Sequence, residues 1–356
     1  MAHVELLNVS KRYGNTVAVN DVTIQISEGE FFSLLGPSGC GKTTTLRMVA
    51  GFVRPSTGTI SIGGQDVTRL PPEKRDIGIV FQNYAIFPHM NVYDNIAFGL
   101  RMRKLDKAEI DKRVREALEQ VGLRGYERRY QREMSGGEQQ RVALARVLVT
   151  HPRILLLDEP LSALDKKLRE EMKYWIKELQ QQLRITTIYV THDQGEALTM
   201  SDRMAVMSKG RVLQIGSPSE IYEHPNCRFV TEFIGESNVL PARVTRLNGE
   251  HVRLALDGFE VDAPLRPDLV VGQEAALAVR PENVLLGADA ERPGVNRVRA
   301  RVKSESYQGS LIRHELVVGP YVIVAESQNR PERPHYPPGT EVSVGWLPRS
   351  SAVLTD

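Results

Sequence analysis

Cysteine is almost missing from this chain: Cys40 and Cys227 are the only two in 356 residues. That scarcity excludes a disulfide framework and suits a reducing compartment. Aromatic residues reach only 6%. Apolar runs such as Ile154 to Leu157 and Ile185 to Val190 have the length of strands, far short of the ~20 residues of a membrane-spanning helix. The stretch Met1 to Ser10 carries Glu5 and lacks the basic start and apolar centre of a secretory signal. A membrane role would therefore run through partners. Charge of one sign is lacking too, since 46 basic and 44 acidic residues leave a net charge of +2. That balance gives no general attraction to nucleic acid or anionic lipid. What remains, 41% hydrophobic and 25% charged, is the composition of a globular protein long enough for two or three domains.

The most informative feature present is GPSGCGKT, Gly36 to Thr43, directly after the apolar run Phe31-Phe32-Ser33-Leu34-Leu35. It fits G-x-x-x-x-G-K-[ST] in its proper setting: a short strand, a glycine-rich turn, then Thr43 to Val49 as a helix. Gly36, Gly39 and Gly41 let the loop, with Pro37, Ser38, Cys40 and Thr44, turn its backbone N–H groups inward. The helix N-terminus adds positive potential at the same spot. The pattern predicts a phosphate cradle, with Lys42 reaching the terminal phosphates and the Thr43 hydroxyl ligating Mg²⁺. Beside a helix N-terminus the Cys40 thiol is expected to have a lowered pKa, so that alkylation blocks ATP hydrolysis and ATP protects.

His151-Pro152 closes one segment, and Arg153 to Pro160 then reads as a buried strand ending in two acids. Ligands of open α/β sheets collect at the carboxyl ends of strands, which sets both acids beside the cradle. Asp158 is the expected holder of the Mg²⁺ shell. Glu159 is placed to orient or deprotonate a water for in-line attack on a γ-phosphate.

Between these sites lies MSGGEQQR, Met134 to Arg141, which resembles the signature loop of the ATP-binding cassette (ABC) family. Other landmarks follow in the family's order. Tyr13 in KRYG matches the aromatic on which adenine stacks, and Gln82 in VFQN matches the Q-loop glutamine. SALD, Ser162 to Asp165, matches the D-loop, and His192 in YVTHD matches the switch histidine. Met134 stands where Leu is usual, and Glu138 where Gln is usual. The resemblance implies an α/β P-loop ATPase core with a helical subdomain, using ATP and Mg²⁺. It implies that Gln82 serves both metal and catalysis, and that Ser135, Gly136, Gly137, Glu138 and Asp165 meet nucleotide. In this family two copies close head-to-tail, each completing the other's site. With one cradle and one signature loop per chain, the resemblance implies a homodimer with ATP as glue. Lys42 and His192 would then lie on one side of the γ-phosphate, Ser135 and Gly137 on the other.

Residues 1–235 read as this nucleotide-binding domain. Strands are expected over Val4 to Val9, Val17 to Ile26 and Gly58 to Ile62, with Gly63-Gly64 as a turn. A helical insert begins near Asn83, within a helical subdomain of about 83–157. Its clearest helix starts at Asp106 as N-cap and lines up Ile110, Val114, Leu118 and Val121. A second helix, Asp165 to Leu183, sets Leu168, Met172, Trp175, Ile176, Leu179 and Leu183 inward. A strand from Thr186 to Val190 then delivers His192.

Beyond about Gly235 the texture changes. Eleven of the 20 prolines lie past Ser237, and alternation replaces helical periodicity, as in Arg297 to Lys303. Similar runs at Val252 to Leu256, Ala276 to Val279, Tyr321 to Ala325 and Val342 to Trp346 predict an all-β small barrel or sandwich over 236–356. The basic strand reads as a solvated face rather than a nucleic-acid surface, because Glu291, Glu305 and Glu315 dilute it. VRPENV (Val279 to Val284) and VGWLP (Val344 to Pro348) resemble the oligonucleotide-fold-like regulatory domain of many ABC import ATPases.

The chain is thus expected to power an importer from the cytoplasmic face of the inner (plasma) membrane, as a peripheral subunit. Two integral-membrane permease subunits and a separate solute-binding protein would complete the system, with no nucleic acid. The apolar segment Asn83 to His89 has two readings, a buried loop or, over Tyr84 to His89, the coupling surface for a permease helix. NIAFGLRMRK (Asn95 to Lys104), SALDKKLREEM (Ser162 to Met172), HDQGEALTMSDR (His192 to Arg203) and FIGESNVL (Phe233 to Leu240) resemble spermidine/putrescine importer ATPases. Ferric-ion, sugar and sulfate importers carry similar subunits and stay open as alternatives. A soluble ABC ATPase acting on nucleic acid or ribosomes is the remaining one.

Overall fold

Strand-forming alternation near the N-terminus produces a four-stranded antiparallel sheet, in a computed structural model that describes residues 2–331 and 334–355. Its strands are β1 (Ala2–Tyr13), β2 (Thr16–Ser27), β4 (Thr57–Ile62) and β5 (Gln65–Asp66), in the order β2-β1-β4-β5. Val22, Ile24 and Ile26 on β2 are buried while Asp21, Thr23, Gln25 and Ser27 face out, the two-residue period of a half-covered sheet; a shift of register separates them from buried Val19. Met1 lies outside the described residues.

The second sheet is built from short, largely apolar runs. It contains β3 (Phe31–Leu35), β6 (Ile77–Val80), β7 (Ile154–Asp158), β8 (Thr186–Thr191), β9 (Arg203–Ser208) and β10 (Arg211–Gly216). The order is β10-β9-β3-β8-β7-β6, parallel throughout except for the β9–β10 pair. Every residue of β3, β7 and β8 is buried, because the sheet is covered on both faces. Leu155 and Leu157 join one core with Phe31 and Tyr189, whereas Ile154 and Leu156 join the other with Phe32 and Leu34.

The cores are closed by helices α1 (Lys42–Ala50), α2 (Val92–Met102), α3 (Lys107–Gln120), α4 (Gly136–Leu148), α5 (Lys166–Leu183) and α6 (Gln194–Met200). Asp106 caps α3 by accepting from the Glu109 N–H at 2.9 Å, a bond that stabilises a helix by about 1 kcal/mol. Ile110, Val114, Leu118 and Val121 are all buried as their spacing predicts. On α5, Met172, Ile176 and Leu179 are buried and Leu168 and Trp175 pack partly against them. Leu183 is the exception: it is 37% exposed, because it ends the helix and Arg184 takes a left-handed conformation (φ 50°) that turns the chain away. Within 83–157 the helices occupy 92–148, and Ile154–Asp158 belongs to the sheet.

Contacts divide the chain into Met1–Pro218 and Ser219–Asp356, earlier than the change of texture at 235/236. The second unit contains all but the first residue of helix α7 (Pro218–Glu223), helix α8 (Arg228–Phe233) and two five-stranded antiparallel sheets around one core. One sheet holds β11 (Asn238–Asn248), β12 (His251–Leu256), β13 (Phe259–Pro264), β14 (Glu274–Val279) and β20 (Ser351–Leu354). The other holds β15 (Leu285–Leu286), β16 (Asn296–Tyr307), β17 (Leu311–Val318), β18 (Tyr321–Gln328) and β19 (Glu341–Trp346). Among the described residues no helix is long and apolar enough to cross a membrane.

Candidate nucleotide site

The loop Gly36–Gly41 leaves β3 and enters α1, whose N-terminus has no side-chain cap. Its first N–H groups therefore remain available for an anion. Two glycines are sterically required. A Cβ on Gly36 would stand 2.3 Å from the Met207 carbonyl oxygen, and one on Gly41, at φ 106°, would stand 2.6 Å from that of Ala18. Lys42 is 4% exposed. Its Nζ donates to the carbonyls of Gly36 at 2.7 Å and Pro37 at 3.0 Å, and no carboxylate forms an ion pair with it among the described residues. A buried cation held only by neutral dipoles is costly until an anion arrives. The cradle thus fits a phosphate chain.

Cys40 corrects an expectation. It is 3% exposed, and burial pushes its thiol pKa up, outweighing the lowering effect of nearby Lys42. The helix N-terminus does not make it an accessible thiolate, and the expected sensitivity to alkylation loses its basis.

β7 and β8 are neighbours, so their carboxyl ends bring Asp158, Glu159 and His192 together. Thr43 Oγ1 donates to Asp158 Oδ1 at 3.1 Å. A hydroxyl and a carboxylate side by side suit Mg²⁺, which takes few protein oxygens and completes its shell with phosphates and water. Burial raises the Asp158 pKa, opposed by the Thr43 bond. Glu159 sits at φ 47°, a left-handed conformation that costs an L-residue about 1 kcal/mol or more. Its Oε2 is 3.1 Å from His192 Nδ1. The sequence contained both residues but gave no sign of that contact or of the turned backbone.

The remaining predicted residues come from other segments of the first unit. Tyr13 is 50% exposed with Lys11 Nζ 5.0 Å from its ring centroid, leaving an open aromatic face. Gln82 is exposed at the end of β6. Ser135 caps α4, and Glu138 completes a capping box, its Oε2 accepting from the Ser135 N–H at 2.7 Å and hydroxyl at 2.9 Å. Tyr126 donates to Glu138 Oε1 at 2.7 Å, and these bonds hold its carboxyl below the usual range. The unusual Glu138 is therefore turned into its own chain. Gly136 and Gly137 abut Leu164 and Leu168, placing them beside Asp165, which caps α5 through the Leu168 N–H at 3.0 Å. No hydrogen bond or ion pair links Ser135 to Glu138 with residues 36–44 among the described residues.

A phosphate-binding loop after β3, a histidine at the end of the adjoining β8 and an acid pair at the end of β7, one strand further, define a nucleotide-hydrolysing P-loop protein. The chain belongs to the ABC transporter family, as one of its ATP-binding, ATP-hydrolysing subunits. The ABC transporter family model matches residues 19–162 and the TOBE domain model residues 277–354. The chain is 49% identical to a spermidine/putrescine import ATP-binding protein PotA of Rubrobacter xylanophilus, over 99% of this chain and 93% of that one. It is 47% identical to the PotA of Chromobacterium violaceum over the full length of both. Among solved structures, cbiO1 of Clostridium perfringens, part of the ABC transporter complex cbiONQ, is similar with TM-score 0.58 and 32% identity, covering 62% of this chain and 90% of that one.

Proposed function

We propose that this chain hydrolyses ATP to drive import of polyamines, of the spermidine/putrescine class, through a membrane complex. The observation that carries the chemical part is buried Lys42, without an ion-paired carboxylate among the described residues, beside the Thr43–Asp158 pair. The full-length similarity to import proteins of that substrate class supports the cargo.

In this reading the loop N–H groups from Gly36 to Thr44 and Lys42 hold the phosphates of ATP, and adenine lies on Tyr13. Mg²⁺, held by Thr43 and Asp158 with Gln82 at its edge, would offset charge on the phosphate oxygens. Glu159 takes a proton from water as its oxygen bonds to the γ-phosphorus; the bond to the bridging oxygen breaks and ADP leaves. His192 steadies the γ-phosphate while held by Glu159. Ser135, Gly136 and Gly137 face the nucleotide of a second copy, which fits their lack of any bond to the loop of their own chain. The complex would include two permease subunits and a solute-binding protein, with this subunit peripheral on the cytoplasmic face.

Glu159→Gln keeps the shape of the side chain and removes the proton acceptor. It is expected to bind MgATP normally, to lower kcat by about a hundredfold or more, and to sediment as a dimer in MgATP. A wild-type rate in that variant, or a monomer at saturating MgATP, contradicts the reading.

A further inference from the structure

Arg169 lies in the first turn of α5, and its guanidinium faces three residues in two other segments. Nη2 donates to the Leu164 carbonyl at 3.1 Å, one residue before Asp165. Nη1 donates to Asp193 Oδ2 at 3.4 Å, one residue after His192. Nε faces Glu196 Oε1 across 4.0 Å and is buried with no hydrogen bond among the described residues.

The groups facing this guanidinium are themselves fixed. Glu196 is 3% exposed, and its Oε2 accepts from Tyr189 at 2.7 Å and Thr191 at 2.6 Å. Asp193 accepts from the Glu196 N–H at 3.0 Å, and its own N–H donates to Thr191 Oγ1 at 2.9 Å. His192 sits between these anchors and meets Glu159. The ring closes because the Glu159 carbonyl accepts the Ser162 hydroxyl at 2.9 Å. Glu159, Ser162 to Leu164, Arg169, Asp193 and His192 thus form one circuit that includes the candidate water-activating pair.

We propose that Arg169 is a positioning residue: it couples the turn Ser162 to Asp165 to the segment that aims His192 at Glu159, and its gap to Glu196 closes when that turn is pressed by a second copy. The proposal rests on the ATPase reading above for its consequence, not for the link itself. A buried N–H facing a buried carboxylate just beyond bonding distance leaves the donor unsatisfied, so a shift of about 1 Å gains a charge-assisted bond. Three acceptors, each facing a different guanidinium nitrogen, call for a fork; a lysine ammonium supplies the charge but not the geometry.

The test uses Arg169→Lys and Arg169→Met in the full-length chain. Both are expected to lower kcat for MgATP by about tenfold or more while KM changes by less than about threefold. Amide hydrogen exchange is expected to quicken together in Ser162 to Asp165 and in His192 to Glu196. Wild-type kcat in Arg169→Lys would mean that charge alone suffices and overturns the proposal. So would exchange that quickens in one segment only, or in neither. A wild-type chain that leaves MgATP intact would instead sink the ATPase reading, and the exchange result would still decide the link.

Discussion

At neutral pH the buried carboxylate of Asp158 works against folding. Burial raises its pKa above the ordinary carboxylate value, so the folded chain holds the proton more tightly than the unfolded one. Stability from this group therefore falls as pH rises from the unfolded value through the folded one, and the cost stands in full above it. Asp158→Asn removes the charge and can still accept from Thr43. Its melting temperature without nucleotide is expected to rise by about 2 °C or more at pH 7, while magnesium-dependent nucleotide binding weakens. Calorimetry showing an unchanged or lower transition would refute this. Lys42, Thr43, Asp158 and Glu159 were legible because the motif fixes their spacing and the strands fix their ends. Cys40 was misread because the helix-terminus argument leaves out burial: the thiol sits in a core it shares with Val190, Ala205 and Met207, far along the chain. Arg169 was illegible for a similar reason: its partners belong to two other segments.

Between Gln82 and α2 the apolar loop divides its residues between the two readings. Ile86 is buried, while Pro88 and His89 are exposed. Phe87 is half-buried, edge-on to Phe98 with centroids 4.8 Å apart and with the Arg146 guanidinium 4.4 Å from its ring. Asn95, 2% exposed, pins the loop by accepting from the Phe87 N–H at 2.8 Å and donating to its carbonyl at 3.1 Å. Pro88 also lines a cavity of about 510 Å³ with Tyr130, Gln131, Arg132 and Gln139. Phe87→Asp is expected to reduce transport by the reconstituted complex about tenfold or more, with nucleotide affinity changed less than about twofold. Transport and complex assembly at the wild-type level would remove the loop from the coupling path. The same scale shows why some elements escape a reading of periodicity. The runs at Val252, Ala276, Arg297, Tyr321 and Val342 all became strands, but β17 was hidden. Its inward positions include His314, 1% exposed and 3.0 Å from Glu305, and Arg313 and Glu315 flank it. A polar residue at an inward site breaks the hydropathy alternation that marks a strand.

For the whole molecule, what the composition marked at 235/236 and what the contacts mark at 218/219 are different things. Proline and alternation report where strands begin; they say nothing of short helices that fold with those strands. Arg280, in VRPENV, is 6% exposed, and its guanidinium donates to the carbonyls of Thr231 at 3.1 Å, Glu236 at 3.1 Å and Tyr222 at 3.2 Å. The Tyr222 ring lies 4.3 Å from the same group. A C-terminal fragment started at residue 236 would shed two of those acceptors and the aromatic lid, stranding a cation indoors. Hydrogen bonds to a charged group contribute about 1.5–3 kcal/mol each, so that fragment is expected to melt well below one started at Ser219. Equal melting temperatures for the two would contradict it. Anyone wishing to hand this tail to another protein should carry the seventeen preceding residues along with it.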